Sequence, residues 1–456
     1  MTLSRRHVLQ ATLASLVASK LASPARAQRA AAVPAGETPV PVVFAHGNGD
    51  DAALWITNLW RCESNGFPRD RLLAFNFTDP LARTNDAEAQ PGRSSTADQL
   101  RELAAAVDAM LQRSGSPRVA LVASSRGGYA VRNYIGNGGA EHVSHAVLCG
   151  VPNKGVFDWE FYPGNEFNAR AAFLRRLNAG ESDVVPGTGF LTLRSDGNDK
   201  YAQPDGRFVG KPGTPTGITA EGPALRGATN LVLGQLDHRE LAFHPRAFRE
   251  IYKFISGNEP ERLGIVSEPI VTLDGLVTGF PAGVATNRPL AGATVEVYRV
   301  SPDSGARLGA PVHRRVTGPD GAWGPVTVEP GWSLEFVVEA PAHPTTHLYR
   351  SPFPRSSSVV HLRPGRPLGD KDSGAGAVVL MSRPRGYFGI PRDVVLLDGK
   401  EPKDVTAGVP TDSVSTLRLP AGEAARPIPA LFNEERIVAR GWPAAENRIA
   451  IAEFTY

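Results

Sequence analysis

The stretch Val119–Ile135 constrains the fold of this chain more than any other. It has the pattern of a short apolar strand, a tight corner and a helix. The corner holds Ser125, with Ala123 and Gly127 two positions away on either side, and small residues are required there because strand and helix backbones nearly touch. Ser124 does not fit this frame, since bulky residues lie two positions from it. The stretch therefore predicts a strand–turn–helix unit in which a strained backbone pushes the Ser125 hydroxyl out over a sheet.

Strand and helix signals alternate from Pro39 to Ile255, which predicts an α/β fold with a mostly parallel sheet. The predicted strands are 42–45, 72–77, the run before the serine corner, 144–148, 189–194 and 230–233. The predicted closing helix is 245–255. Thr96 is expected to cap a helix, with Gln99 closing a capping box. Leu103 and Val107 recur at helical spacing and are expected to face the core.

Past Glu259 the pattern changes. Short alternating runs are separated by Gly, Pro and Asp turns, which predicts an all-β region. Within it, the runs 289–295 and 317–323 resemble a transthyretin-like sandwich. The predicted domains are an α/β domain over residues 28–259, a transthyretin-like β-sandwich over 268–363 and a β-rich unit over 377–456. The last unit either stands alone or completes one barrel with the sandwich, and both arrangements stay open.

Residues 1–27 have the layout of an export signal. Arg5 and Arg6 are followed by an apolar run and by a small-residue cleavage site that ends at Ala27, and the paired arginines resemble a twin-arginine signal. The apolar run is too short to span a membrane well. We expect cleavage after Ala27 and export of the folded protein to the periplasm or the extracellular space. No later segment is apolar enough to be transmembrane.

The charge balance and the cysteine count narrow the classes of partner. With 49 basic and 46 acidic side chains, the net charge of +3 gives no case for binding nucleic acid or an anionic membrane surface. Cys62 and Cys149 are too few for a disulfide framework, and they either pair or remain as core thiols. No cluster has metal-ligand spacing, so neither a metal nor an organic cofactor is predicted. The oligomeric state stays open.

A serine hydroxyl such as that of Ser125 becomes a nucleophile only when a histidine takes its proton and a carboxylate orients that histidine. At an elbow of this kind, the chain order is serine, acid, histidine, so the base should follow the last strand. His238 lies in that loop, before the closing helix, and is the predicted base. His244 adjoins Pro245 at the start of the helix and suits a capping role better.

Asp199 and Asp196 compete for the role of the acid, since both follow the predicted strand 189–194. Asp199 is the predicted acid, because the dipeptide at Asp196 and Gly197 is typical of a plain turn. Asp237 is a third candidate, but adjacent side chains point apart, so it can hardly orient His238. The choice between Asp199 and Asp196 stays open.

Acyl transfer needs two backbone N–H donors aimed at the developing negative charge. Arg126, directly after the serine, is predicted to supply one of them. The glycine-rich turn after the first strand supplies the other, with Asn48 as the donor, because glycine lets the backbone come close. His46 in that turn is expected to have a structural role.

Three motifs carry a resemblance to a known family: Phe44-Ala45-His46-Gly47-Asn48-Gly49, the elbow Ala123–Gly128 and the segment Gly234–Pro245. Over about residues 39–255 the chain resembles the small bacterial lipases and esterases of the α/β-hydrolase superfamily, which implies that fold and its serine chemistry. The layout with a β-rich C-terminal extension also resembles an archaeal lipase type in which the extension helps to bind lipid. Arg126 departs from the family, which usually carries Met or Gln there, and a charge at this point leaves the substrate preference open.

Two groups of aromatic side chains bear on substrate binding. The insertion 152–186 is predicted to form a lid or an acyl-binding wall, or else an ordinary packed helix at 167–177. The aromatic side chains of the β-rich region either hold lipid or polymer at the surface or fill its core. Since no catalytic set follows Glu259, a chain that ends there is expected to cleave short soluble esters but to lose much of its rate on emulsified or solid substrate. It is also expected to lose stability if the two halves share an apolar interface.

These features together predict a secreted serine ester hydrolase, a lipase or carboxylesterase. Its predicted substrate is an ester or a lipid, and whether that substrate is insoluble stays open. A polyester depolymerase of the polyhydroxyalkanoate type and an acyltransferase use the same chemistry and stay open. A non-catalytic binding protein on the same fold is the alternative of another class. Serine, acid and histidine candidates in the right chain order argue against it.

Overall fold

The computed structural model describes residues 39–456. The predicted export signal, residues 1–27, lies outside the described residues. Within the described part of the chain, no helix is both long enough and apolar enough to cross a membrane.

Strands and helices alternate as far as residue 256. The strands are β1 (Val42–Ala45), β2 (Leu72–Phe75), β3 (Leu81–Ala82), β4 (Arg93–Ser94), β5 (Val119–Ser124), β6 (Val143–Cys149), β7 (Gly189–Arg194) and β8 (Thr229–Val232). The helices are α1 (Ile56–Ser64), α2 (Thr96–Ser114), α3 (Gly127–Gly136), α4 (Ala172–Leu177), α5 (Glu240–Phe243) and α6 (Pro245–Ser256). Six strands of the described chain form one parallel sheet in the order β2-β1-β5-β6-β7-β8. The predicted α/β-hydrolase fold is confirmed.

Helices cover both faces of this sheet, which is why its strands read as continuous apolar runs. On one face, α2 and α3 pack through Leu103, Val107 and Tyr129. On the other face, α6 packs through Phe248 and Ile251. β5 is buried along its whole length near the middle of the sheet. The carboxyl ends of parallel strands meet at one edge, and that edge is where sites form in such sheets.

The cap of α2 differs from the prediction by one residue. Ser95, and not Thr96, is the N-cap, and its side chain accepts from the backbone N–H of Asp98. Asp98 closes the capping box in place of the expected Gln99. The Thr96 hydroxyl instead donates to Asp86 at 2.7 Å. The predicted capping box is therefore present, but one residue earlier. Ser95 and Thr96 could each cap the helix, and the hydrogen bond of Thr96 to the loop residue Asp86 leaves the cap to Ser95.

After residue 268 the chain is rich in β-strands, as predicted. The strands are β9 (Val271–Leu273), β10 (Thr294–Val300), β11 (His313–Val316), β12 (Val326–Val328), β13 (Ser333–Glu339), β14 (Thr345–Arg350), β15 (Ala377–Ser382), β16 (Val395–Leu397), β17 (Val414–Leu419), β18 (Pro427–Phe432), β19 (Glu435–Arg440) and β20 (Arg448–Glu453). Seven of these described strands form a sheet in the order β11-β10-β13-β14-β20-β15-β17.

The last strand joins the two predicted C-terminal units. β20 lies between β14 and β15 and runs parallel to both. Strands from the units 268–363 and 377–456 therefore share one sheet, which favours the alternative in which they complete a single unit. The domain limits themselves stay a prediction.

The α/β half and the β-rich half share a hydrophobic core. Ile56 and Trp60 of α1 pack in the same buried cluster as residues of β9, β10, β13 and β14. The ring centres of Trp60 and Phe353 are 6.2 Å apart, and the indole N–H donates to the carbonyl of Ser356 at 3.0 Å. A chain that ended near Glu259 would expose this apolar face to water. The shared core meets the condition under which such a chain is expected to lose stability.

Cys62 and Cys149 are both buried and unpaired. Burial raises the pKa of each thiol, so neither is a reactive thiolate at neutral pH. Of the two possibilities that the sequence left open, core thiols is the one that the structure shows.

We expect Trp60→Ala to lower the free energy of unfolding by about 3–5 kcal/mol, because it removes a fully buried aromatic side chain and leaves a cavity at the junction. Urea unfolding followed by circular dichroism measures the change. Ile270→Ala is the control, since that side chain is 64% exposed, and it should change the stability by about 0.5 kcal/mol or less. A Trp60 variant as stable as the unaltered protein would mean that the two halves do not depend on each other.

Candidate active site

The corner between β5 and α3 holds Ser125 in a strained conformation. Its φ is 48°, in the left-handed region that residues with a side chain seldom adopt. A Cβ on Gly127 would lie 2.5 Å from the carbonyl oxygen of His46 and 2.7 Å from that of Ala45, so only glycine fits where α3 begins. Ser124 is fully buried, whereas Ser125 faces a cavity. The structure therefore has Ser125, and not Ser124, at the corner.

His238 and Asp199 form a buried pair. Nδ1 of His238 is 2.8 Å from Oδ1 of Asp199, and both side chains are almost completely buried. An ionised carboxylate can only accept, so a neutral imidazole that bonds to it through Nδ1 carries its hydrogen there and its lone pair on Nε2. Within residues 39–456, Nε2 makes no hydrogen bond. The Tyr201 ring packs edge-on against the imidazole with ring centres 4.6 Å apart, which holds the orientation of His238.

The competing acids and the second histidine have other partners. Asp196 accepts hydrogen bonds from backbone N–H groups of its own turn and of the loop after β8. Asp237 accepts from two backbone N–H groups at the start of α5. His244 caps α6 by accepting from the backbone N–H of Arg246, and burial lowers the pKa of His244 to about 4. Of these candidates, Asp199 is the one whose side chain is hydrogen-bonded to the imidazole of His238, although the catalytic roles themselves stay a prediction.

The two predicted oxyanion donors lie close to Ser125. A Cβ on Gly47 would be 3.0 Å from the Cβ of Ser125, so the turn after β1 passes directly beside the serine. Across the described residues, neither the backbone N–H of Asn48 nor that of Arg126 donates a hydrogen bond. Both groups are free to bind an oxygen atom. His46 has a structural position, because its Nε2 accepts from the backbone of the loop after β2 at 3.0 Å.

Ser125 and His238 line one cavity of about 100 Å³. Its other lining residues are Asn48, Asp50, Pro152, Val156, Phe157, Phe167, Tyr201, Val209, Arg239 and Tyr387. The insertion 152–186 supplies much of the apolar wall, while its helix α4 packs into the core. The packed helix is present but shorter than predicted, at Ala172–Leu177 and not 167–177, and the acyl-binding role of the wall stays a prediction. A larger cavity of about 670 Å³ lies where the two halves meet, and neither Ser125 nor His238 lines it.

The Arg126 side chain points away from the cavity and is completely buried. Its Nε and Nη2 donate to the two carboxylate oxygens of Glu166 at 2.5 and 2.7 Å. Burial raises the pKa of Glu166, and the charge of Arg126 opposes that rise. The charge at position 126 is therefore neutralised inside the protein and does not face a substrate, which the sequence had left open. Glu166 was missed because nothing near Arg126 in the sequence indicates a partner forty residues away.

The β-rich half also reaches the cavity, a contribution that the sequence did not reveal. Tyr387 lines the cavity and is buried. The guanidinium carbon of Arg239 lies 4.9 Å from the centre of the Tyr387 ring, and Arg239 also pairs with Asp50 at 2.5 Å. The ammonium of Lys200 lies 3.8 Å from the same ring, and its pKa is lowered to about 8, chiefly by burial. One side of the cavity is therefore polar and depends on both halves.

Two arginines of the β-rich half hold the segment that carries His238. Arg383 donates to Asp237 at 3.0 Å and to Glu240 at 2.7 Å. Arg392 donates to Glu240 at 2.7 Å. Because Asp237 directly precedes His238, these buried ion pairs fix the position of the candidate base relative to the β-rich half.

The large aromatic side chains of the β-rich half mostly fill its interior. Those that are buried are Trp323, Tyr349, Phe353, Tyr387 and Phe388, and those that are partly buried are Trp332 and Trp442. The insertion also has exposed aromatic side chains, since Phe161 and Tyr162 are 44% and 49% exposed. Core filling, and not a surface for lipid, is therefore the role of most of the aromatic residues weighed for the extension.

Two protein families match parts of the chain. Residues 39–153 match Lipase (class 2), and residues 269–367 match the Lipase C-terminal domain. The chain resembles the bacterial α/β-hydrolase lipases and esterases, with a β-rich C-terminal extension, as its motifs predict. Both of the matched families are lipase families. A comparison with curated proteins gives no match.

Several solved structures are similar at low identity. Aspergillus fumigatus lipase B is 15% identical with a TM-score of 0.36, and the match covers 49% of this chain and 54% of that one. The chain therefore spans about half of that lipase. Bacillus licheniformis lipase BlEst2 in mature form is 19% identical with a TM-score of 0.33, and the match covers 48% of this chain and 91% of that one. Phospholipase PlaB from Legionella pneumophila is 11% identical with a TM-score of 0.33, and the match covers 92% of this chain and 93% of that one.

We expect Asp199→Asn to lower kcat for a soluble short-chain ester on the order of 10⁴-fold, because an amide would favour the wrong tautomer of His238. Asp196→Asn should cost far less, because Asp196 accepts hydrogen bonds from backbone N–H groups of its own turn and of the loop after β8. Steady-state kinetics on both variants, with circular dichroism to verify folding, gives the comparison. A reversed ranking would assign the acid to Asp196.

Proposed function

We propose that this protein is an exported serine ester hydrolase, a lipase or carboxylesterase that works through an acyl-enzyme. The observation that carries the proposal is the buried pair of His238 and Asp199, 2.8 Å apart, whose Nε2 is unbonded within residues 39–456. That histidine lines the same cavity as Ser125, which stands at a strained corner. Residues with a side chain that adopt a strained backbone conformation, as Ser125 does with its positive φ, cluster at functional sites.

In the first half of the reaction, the Ser125 hydroxyl oxygen attacks the carbonyl carbon of the ester while Nε2 of His238 takes its proton. The backbone N–H groups of Asn48 and Arg126 stabilise the oxyanion that forms. Asp199 accepts from Nδ1–H and stabilises the imidazolium. When the tetrahedral intermediate collapses, the ester C–O bond breaks and Nε2 gives the proton to the departing alcohol.

In the second half, water attacks the acyl-enzyme, and His238 takes a proton from the water. A second tetrahedral intermediate forms against the same two N–H groups. Its collapse breaks the bond between the acyl carbon and the Ser125 oxygen. The proton returns to Ser125, and the carboxylic acid leaves.

The cavity favours a small acyl group next to a polar alcohol portion. Its volume is about 100 Å³, and Val156, Phe157 and Phe167 make part of its wall apolar. Arg239 and Tyr387 make another part polar. An apolar wall holds the acyl chain through the hydrophobic effect, and the small volume limits its length.

The proposal of export is supported by residues 1–27, with the paired arginines Arg5 and Arg6, the apolar run and the cleavage site. We place the mature protein in the periplasm or the extracellular space. Mass spectrometry of the protein secreted by a cell that expresses the full gene would test this, since it should find Gln28 as the first residue. A retained N-terminal segment would contradict cleavage.

The nucleophile is tested by a pair of adjacent serines. We expect Ser125→Ala to abolish ester hydrolysis and labelling by an active-site phosphonate, because Ser125 lines the same cavity as His238. Ser124→Ala should keep most of the activity, since Ser124 is fully buried. Peptide mapping of the labelled protein identifies the modified serine. Loss of activity in the Ser124 variant alone would shift the frame by one residue, and a protein that never reacts would be a binding protein.

The acyl preference is tested by a panel of p-nitrophenyl esters. We expect acetyl and butyryl esters to react faster than decanoyl and palmitoyl esters, because the cavity is small. Phe157→Ala should move the optimum to longer chains by enlarging the apolar wall. Phe161→Ala is the matched control, since that side chain is exposed outside the cavity and its loss should leave the optimum unchanged. A preference of the unaltered protein for palmitoyl esters would contradict the assignment of this cavity.

A further inference from the structure

The guanidinium of Arg126 is fully used. Each of its five N–H donors meets an acceptor, since beyond its two bonds to Glu166 it donates to the carbonyl oxygens of Pro80 and Ser94 and to the Ser94 hydroxyl at 2.7–3.1 Å. Arg126 is 0% exposed and Glu166 is 1% exposed. A bidentate pair between a planar guanidinium and a carboxylate fixes the direction as well as the distance of both partners.

The segment that receives Arg126 also holds the other side of the oxyanion site. The Pro80 carbonyl oxygen accepts from Arg126 and also from the backbone N–H of Gly49 at 3.2 Å. The backbone N–H of Ala82 donates to the side-chain oxygen of Asn48 at 2.8 Å. A single chain of contacts therefore runs from Glu166 through Arg126 to the turn that carries Asn48.

Stability alone gives little reason for such a pair. Removing two charges from water is costly, and a buried ion pair is on balance no more stabilising than apolar side chains of similar size. What the pair supplies is a single geometry at the residue whose backbone N–H faces the developing charge. Electrostatic stabilisation of an oxyanion depends steeply on that geometry, because the donors must already be in place when the charge forms.

We propose that Glu166 is a positioning residue for the oxyanion hole: by holding the Arg126 side chain, it sets the backbone N–H of Arg126 and, through residues 80–82, that of Asn48. The proposal rests on the proposed function, because it assumes that an oxyanion forms at Ser125. Glu166 is not among the residues that line the cavity. Its neighbour Phe167 does line the cavity, so the same short segment supports both the acyl wall and the oxyanion site.

The first test is Glu166→Gln, which keeps the size of the side chain and removes its charge. The backbone N–H of Arg126 is still present in this variant, so the substitution itself removes no oxyanion donor. We expect kcat per titrated active site to fall about 10-fold to 100-fold for a soluble short-chain ester, with KM changed less than about twofold. Active-site titration with the phosphonate counts the competent serines, which separates a slower site from a smaller folded fraction.

Asp183→Asn is the matched control. Asp183 is also a buried acid of the insertion, and it pairs with Lys154 and Arg226 at 2.7 and 2.8 Å, but it does not line the cavity. This variant should lose stability while each titrated site keeps its kcat. If the Asp183 variant lost kcat as the Glu166 variant does, the effect would be general loosening of the insertion, and the proposal would be overturned.

A second variant covers the case in which Glu166→Gln leaves Arg126 buried without a partner and does not fold. The double variant Arg126→Met with Glu166→Leu replaces the ion pair by apolar side chains of similar size, which proteins often tolerate. It should fold and still show the fall in kcat. Full kcat per titrated site in either folded variant, or a loss confined to KM, overturns the proposal. Absence of phosphonate labelling in the unaltered protein would instead overturn the proposed function itself.

Discussion

The close approach of α3 to the turn after β1 is the constraint on which the site depends. At Gly127 no room exists for a side chain, because two backbone carbonyl oxygens lie within 2.7 Å of where its Cβ would be. This contact forces the bend that holds Ser125 at a positive φ, and it brings the glycine-rich turn beside the serine. The positions of the nucleophile candidate and of both oxyanion candidates therefore depend on one close contact between two backbones. The insertion and the β-rich half complete the site next to this contact.

The β-rich half is part of the site and not an appendage to it. It supplies Tyr387 to the cavity and two arginines to the segment that carries His238. It also completes the hydrophobic core under α1. Such an arrangement makes the geometry of the base depend on residues far along the chain, so the two halves are expected to fold and unfold together.

The sequence predicted what local pattern can encode. Alternating apolar runs indicated the α/β fold, and small residues around Ser125 indicated the corner. Chain order led to His238 as the predicted base and to Asp199 or Asp196 as the acid. It did not indicate Glu166 or Tyr387, because each reaches the site across a long stretch of chain with no spacing rule between the partners. Arg126 illustrates this limit. In the sequence, an arginine next to the serine suggests a positive charge that could bind a substrate. The folded structure shows that the guanidinium is already paired with the carboxylate of Glu166.

The two buried thiols have a consequence for how the protein is made. With Cys62 and Cys149 unpaired, no covalent cross-link through cysteine contributes to the fold. Folding therefore requires neither an oxidant nor a disulfide isomerase, and it can be completed in a reducing compartment as well as in an oxidising one. The shielded sulfur atoms also resist air oxidation, so samples prepared without a reductant should not become heterogeneous by forming disulfide-linked dimers.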